Sequence, residues 1–176
     1  MNVLAKSDPM VRVESGWSEP PTHDARLFEV YRYWNARRGD RWRPTRDDIR
    51  PSELKKQLPY IFLVDVLNRP RRFRMRLAGH SFFQTAGYSI NGRFIEEIFP
   101  PEMCEATRAH WNACAETSMP SLGRGRVMIP GKEFLIWEGI ILPLGPETGP
   151  ADMLLGAVVS SGASARGDHA SMVPVR

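Results

Sequence analysis

The sequence predicts an α+β domain: a five-stranded antiparallel sheet, short helices packed on one of its faces, and an amphipathic helix on the N-terminal side. Three observations carry this. Apolar residues recur at helical spacing at Leu27, Val30, Tyr31 and Trp34. Apolar and basic residues alternate with period two from Arg71 to Ala78. Turn-rich segments and one longer helical stretch then separate the first two strand-like runs from three later ones, so strands and helices are segregated.

Residues 1–23 are polar and irregular, with Pro9, Gly16, Pro20 and Pro21, and are expected to form a flexible tail. Residues 24–58 read as a helical extension. Asp24 can N-cap the first helix, Arg26, Glu29, Arg32 and Arg37 take its polar face, and Gly39 can end it. The apolar stripe must be covered, either by the chain's own domain or by a second copy. Asp40 to Pro51 is turn-like, and Pro51 suits the first turn of a short helix running through Gln57 and ended by Pro59.

Residues 59–162 read as the domain proper. Ile61 to Leu67 is a compact apolar run broken by Asp65, as in a buried strand. In the next strand Phe73, Met75 and Leu77 share one face and Arg72, Arg74 and Arg76 the other. Asn68 to Pro70 supplies the hairpin turn. Short helical pieces fill Ser81 to Pro100, and Glu102 to Thr117 is a longer helix that Pro120 ends. Three strands follow, at Leu122 to Ile129, Glu133 to Leu142 and Met153 to Ser160, with turns at Gly131 and Gly145-Pro146. Residues 163–176 lack periodicity and are expected to form a second flexible tail.

The bulk composition narrows the function class. A chain of 176 residues that is 42% hydrophobic can fill one core. No stretch approaches the roughly 20 apolar residues of a membrane span, and no apolar leader precedes the domain, so a cytoplasmic address is expected. The two cysteines, Cys104 and Cys114, fall ten residues apart on one helix. That spacing is about 15 Å of rise, too far for a disulfide, and suits a reducing compartment. The net charge of +4 is spread among interspersed acids without a like-charge run, which argues against a dedicated nucleic-acid or membrane surface.

Phe83-Gln84-Thr85-Ala86-Gly87-Tyr88-Ser89, then Gly92-Arg93, then Ile98-Phe99-Pro100-Pro101-Glu102, resembles the signature of the PAS family. The upstream half is similar to the small stand-alone bacterial PAS proteins: Trp34, Arg38-Gly39, Pro44-Thr45-Arg46 and Asp48-Ile49-Arg50-Pro51. The likeness continues through Leu58-Pro59, Phe62-Leu63, Arg74-x-Arg76-Leu77-x-Gly79 and Leu142-Pro143-Leu144. It spans residues 24–160. The resemblance implies a non-enzymatic domain that senses a ligand or mediates contacts. Its pocket is expected among Phe73, Met75, Phe83, Tyr88, Phe94, His110, Trp111 and Met128, residues that a filled core would use equally. The chain has no room for an attached output domain, so its signal is expected to pass through a homodimer or a partner protein. The exposed part of the Leu27, Val30, Tyr31 and Trp34 stripe is the expected coupling surface.

Sharper chemistries fit less well. Asn91-Gly92-Arg93-Phe94-Ile95 resembles the photosensory flavin motif, but that chemistry needs a thiol where Gly92 stands, and the Asn-Gly pair reads as a turn. His110 lies on the long helix where haem-binding members place their ligand, yet a single histidine without a second ligand pattern reads as a packed or surface residue. His80 reads as a turn residue. The sequence carries no Cys-x-x-Cys, His-x-x-x-His or Gly-x-Ser-x-Gly, so neither a metal site nor a hydrolase is expected. Gly123-Arg124-Gly125-Arg126 lacks the ending of a phosphate loop. The acids of Asp47-Asp48 and Glu96-Glu97 are adjacent, so on a regular element they diverge instead of pairing.

Arg72, Arg74 and Arg76 form a ladder that could hold an anion or nucleic acid. The competing reading, cross-strand pairing with acids such as Glu133 and Glu138, is the more economical one. The sequence therefore leads to a cytoplasmic sensor or adaptor binding a small organic ligand or a protein. A ligand-free scaffold is the alternative, and a haem sensor or an anion binder stands further off.

Overall fold

The computed structural model describes residues 11–15, 17–126 and 135–162. In chain order these form β1 (Val11–Ser15), α1 (Ala25–Arg38), β2 (Ile61–Leu67), β3 (Arg72–Ala78), α2 (His80–Ala86), α3 (Pro101–Thr117), β4 (Ser121–Arg126), β5 (Leu135–Leu144) and β6 (Met153–Gly162). The strands make one antiparallel sheet in the order β1-β4-β5-β6-β2-β3.

The sheet has six strands, one more than the sequence predicts. The added strand is β1, drawn from the segment expected to be a tail. It pairs with β4, Val13 opposite Gly123 and Ser15 opposite Ser121, and Arg124 holds Glu14 at 2.8 Å. The other expected strands match their predicted bounds to within a few residues, except that the expected end at Ile129 and the expected start at Glu133 lie outside the described residues. The hairpin between β4 and β5, including Gly131, falls outside the described residues, as do residues 1–10 and 163–176.

The helices cover both faces of the sheet instead of one. On one face α1 lays Leu27, Val30, Tyr31 and Trp34 over Ile61, Leu63, Ile140, Leu142 and Leu155. On the other, α2 and α3 enclose Phe62, Val64, Phe73, Met75, Trp111, Ile141 and Leu154. Sandwiching explains why β2 is an almost unbroken apolar run: it is flanked by β3 and β6 and covered on both sides. Asp24 caps α1 by accepting from the Arg26 amide, and Gly39 ends it at φ 57°. Trp34 Nε1 donates to Pro143 O at 2.9 Å, and Tyr31 Oη donates to Ser18 O at 2.7 Å.

Two local expectations change. The helix predicted from Pro51 to Gln57 is replaced by separate 3-10 turns at Pro51–Glu53 and Leu58–Tyr60. In β3 a bulge interrupts the alternation, because Leu63 pairs with Leu77 but Val64 pairs with Met75. Phe73 and Met75 stay buried in the α2/α3 core, while Leu77 turns to the other face and is 46% exposed.

A buried arginine joins the two layers. Arg43, in the loop after α1, is 2% exposed. Its guanidinium donates to Ser118 Oγ at the C-cap of α3, to Pro146 O, and to Gly149 O at 2.6 Å. The charge thus rests on neutral oxygens at a helix C-terminus, where the peptide dipoles favour a cation.

Candidate functional site

The centre of the α2/α3 side is packed with aromatic rings. Trp111 is stacked on Phe62 with ring centroids 5.8 Å apart, and Phe73 meets it edge-on at 5.5 Å. Phe82 closes the other edge of Phe62 at 5.4 Å. The space left between Phe62, Met75, Phe82, Ile90, Phe99 and Trp111 is about 20 Å³. That is roughly what one water needs, in walls that are almost wholly apolar.

Of the residues expected to line a pocket, Phe73, Met75 and Trp111 do converge here. Phe83 does not. The seven-residue α2 turns Phe82 inward and leaves Phe83 50% exposed, stacked at 6.0 Å on His80, which opens that helix. Tyr88 packs at the edge of the core, with the Arg93 guanidinium 5.0 Å from its ring. Phe94 lies on the far side of β3, its ring 3.5 Å beneath Arg72. Met128 is outside the described residues. Phe62, Phe82, Ile90 and Phe99 were missed; adjacent aromatics such as Phe82-Phe83 carry no signal for which one faces in until the helix phase is known.

The Asn91-Gly92-Arg93-Phe94 segment has a backbone role. Met75 N donates to Arg93 O at 2.8 Å, Gly92 N donates to Met75 O at 2.6 Å, and Asn91 Oδ1 accepts from Ala78 N at 2.8 Å. It covers the outer edge of β3 and so blunts an edge that would otherwise invite strand pairing.

His110 points away from the central void, towards β4, with Nε2 2.6 Å from Ser121 Oγ. The pair lies in a cleft of about 410 Å³ between α3 and the β1/β4 edge. Ala106, Ala109 and Ala113 form its α3 wall, Val13 and Ser15 its β1 wall, and Met119 lies at one end. Gly123 permits this close approach: a β-carbon there would lie 2.8 Å from Trp137 Cη2 and 3.3 Å from His110 Cε1. Burial pushes His110 down to about 4, so the imidazole is neutral at physiological pH. Burial pushes the neighbouring Cys114 thiol up to about 12, with a hydrogen bond from Ser121 opposing, so Cys114 is no thiolate nucleophile.

Among the described residues the arginine ladder pairs with Asp65 and Glu96, not with the expected Glu138. Asp65 on β2 holds both Arg74, at 2.9 Å, and Arg76, at 3.2 Å. Arg72 lies 3.9 Å from Glu96, which also binds Arg108 at 2.7 Å. Glu138 faces Arg124 instead, at 3.6 Å, and Glu133 is outside the described residues. The open hollow beside Asp65 is lined by Arg46, Arg74 and Arg76 against Asp47, Asp65 and Asp152, three charges of each sign.

The stripe expected to couple to a partner is spent within the domain. Leu27 and Val30 are 0% exposed, Trp34 2% and Tyr31 7%, so α1 presents none of these apolar faces to a second molecule. The reason is that β5, β6 and β2 offer an apolar outer face that must itself be covered.

A family model described as a PAS domain matches residues 22–159. The chain belongs to the PAS family. A solved structure of an RNA-binding Light-Oxygen-Voltage receptor superimposes on this PAS domain with a TM-score of 0.50 at 13% identity, covering 85% of this chain and 38% of that one. At that identity the likeness speaks for the fold alone, and this chain spans well under half of that receptor. No curated protein matches the sequence. In this PAS domain β2 to β6 form the five strands that the sequence predicts, with β1 added beyond β4 and α1 on the outer face. None of the helices among the described residues is long and apolar enough to cross a membrane.

Proposed function

We propose that this PAS domain is a non-enzymatic signalling adaptor, passing its state through contacts with a second copy of itself or another protein in a reducing, cytoplasmic compartment. The observation that carries this reading is the closed centre. A flavin or haem needs a pocket of roughly several hundred Å³. Phe62, Trp111 and their neighbours leave about 20 Å³. Protein contacts are also supported by Leu58, Leu77 and Phe83, large apolar side chains that are 36%, 46% and 50% exposed. The buried free thiols Cys104 and Cys114 fit the compartment.

The receptor neighbour binds RNA, but here Arg72, Arg74 and Arg76 already have carboxylate partners, which disfavours carrying that property across. Sedimentation over a wide concentration range, alone and with candidate partners, tests the adaptor reading. Association that weakens in Leu77→Glu and Phe83→Glu supports it. A strictly monomeric protein carrying a flavin band or a Soret band sinks it.

A further inference from the structure

The cleft beside His110 has the attributes of a ligand site that the central void lacks. At about 410 Å³ it falls within the range of about 300–1,000 Å³ typical of small-molecule pockets. Its depth has a cause in the sequence. Alanines at 106, 109 and 113 keep the α3 surface low, while Val13 and Met119, 47% and 46% exposed, stand higher at the margins. One wall is β1, the edge strand beyond β4.

The polar groups are few and convergent. Ser121 is 3% exposed and sits 2.6 Å from His110 Nε2. A neutral imidazole carries one donor and one acceptor, and a hydroxyl can both donate and accept. Ser121 also gives its proton to the Cys114 thiol, so His110 Nε2–H donates to Ser121, and the pair retains acceptor capacity, at His110 Nδ1 and the second lone pair of Ser121 Oγ, for a third group that donates. None of the ten residues lining the cleft carries a formal charge with His110 neutral. An ionic ligand would lose its hydration there without gaining a counter-ion, which is strongly unfavourable.

The geometry points to a ligand site in the α3/β1/β4 cleft for an uncharged, mainly apolar molecule of single-ring or short-chain size, its hydroxyl group donating to the His110–Ser121 pair. This rests on the signalling reading above and gives that module an input on its flank. A ligand touching both β1 and α3 favours the state in which β1 is docked, which is the differential affinity any ligand-driven change requires.

The test is an NMR titration of the full chain with 1-octanol, 2-naphthol and octanoate, following His110 Cε1 and the backbone amides. Saturable shifts at His110 and Ala113 with the two neutral probes are expected. Octanoate at neutral pH is expected to bind about tenfold more weakly or worse. Ala113→Phe, at an exposed α3 position, is expected to weaken 1-octanol by a similar factor with the melting temperature retained; Ala109→Phe serves if that variant does not fold. The inference is overturned by the lack of saturable shifts, by shifts centred on Met75 and Ile90, by equal binding of octanol and octanoate, or by unchanged binding in a folded filled variant. Binding is read without a partner, so its failure is distinct from failure of the sedimentation test.

Discussion

Phe62 lies directly over Gly156 on the neighbouring strand β6, so closely that a β-carbon at Gly156 would sit 2.1 Å from Phe62 Cζ and 2.5 Å from Cε1 and Cε2. The glycine lets the ring lie against the sheet and slide under Trp111, and that stack closes the centre of the domain. Phe62 has little space to retreat into, about 20 Å³, because Phe82 and Trp111 hold its other sides. Gly156→Ala is therefore expected to cost about 2 kcal/mol, as overpacking does in a dense core. Urea unfolding reads this as a lower midpoint at constant slope. A midpoint equal to wild type would mean that the ring is free to move and the centre is not rigidly closed.

Much of the sheet was legible because its physics is local. Period two marks β3, and turn residues bracket β5 and β6, wherever these strands pack. What covers each face was not, because this depends on residues far apart in sequence. The stripe from Leu27 to Trp34 announces burial but cannot name its cover; the apolar run of β2 was the hint that both faces of the sheet needed one. β1 escaped because the Val11-Arg12-Val13-Glu14 alternation is short and its strand state depends on pairing with β4. The cleft escaped for a related reason: alanines read as filler, and the direction of His110 is set by Ser121, eleven residues later.

Asp65 sits 7% exposed between two arginines that are themselves largely in solvent. Its main effect is to consume their charge. Asp65→Asn removes the carboxylate and leaves Arg74 and Arg76 to water, at a stability cost of about 1 kcal/mol or less, since exposed guanidiniums rehydrate readily. The freed pair is expected to bind polyanions. Heparin chromatography checks this: Asp65→Asn elutes at higher salt than wild type, and Asp65→Asn combined with Arg74→Ala returns towards it. Strong heparin retention by the wild type would instead restore the anion-site reading of the ladder.

Arg43 ties the loop after α1 to the α3 C-cap and the β5–β6 turn with hydrogen bonds to Ser118, Pro146 and Gly149. Arg43→Met keeps much of the volume but strips the acceptors of their donors in a buried site. The expected loss is about 3 kcal/mol. Arg43→Lys keeps the charge but lacks the planar fork that reaches several oxygens at once, so it is expected to recover less than half. Thermal and urea unfolding of the two variants decide the matter. A lysine variant as stable as wild type would show that charge at the helix end, not the fork, is what matters.

His110 supplies a pH signature that a surface histidine would not. Burial lowers its folded-state value from 6.5 to about 4, so between those limits the unfolded chain binds more protons than the folded one. Stability therefore rises with pH through this window, and it falls as acid drives the imidazole towards charge. The shift corresponds to about 3 kcal/mol lost between pH 6.5 and 4. Cys114, the other titrating side chain lining the cleft among the described residues, remains a neutral thiol throughout. His110→Gln keeps a side-chain hydrogen-bonding group near Ser121 but cannot titrate. Unfolding free energies measured across that range are expected to show a shallower acid slope in the variant, the two curves separating below pH 6.5. Parallel curves would place His110 in contact with bulk water in the folded state and remove the neutral imidazole from the cleft.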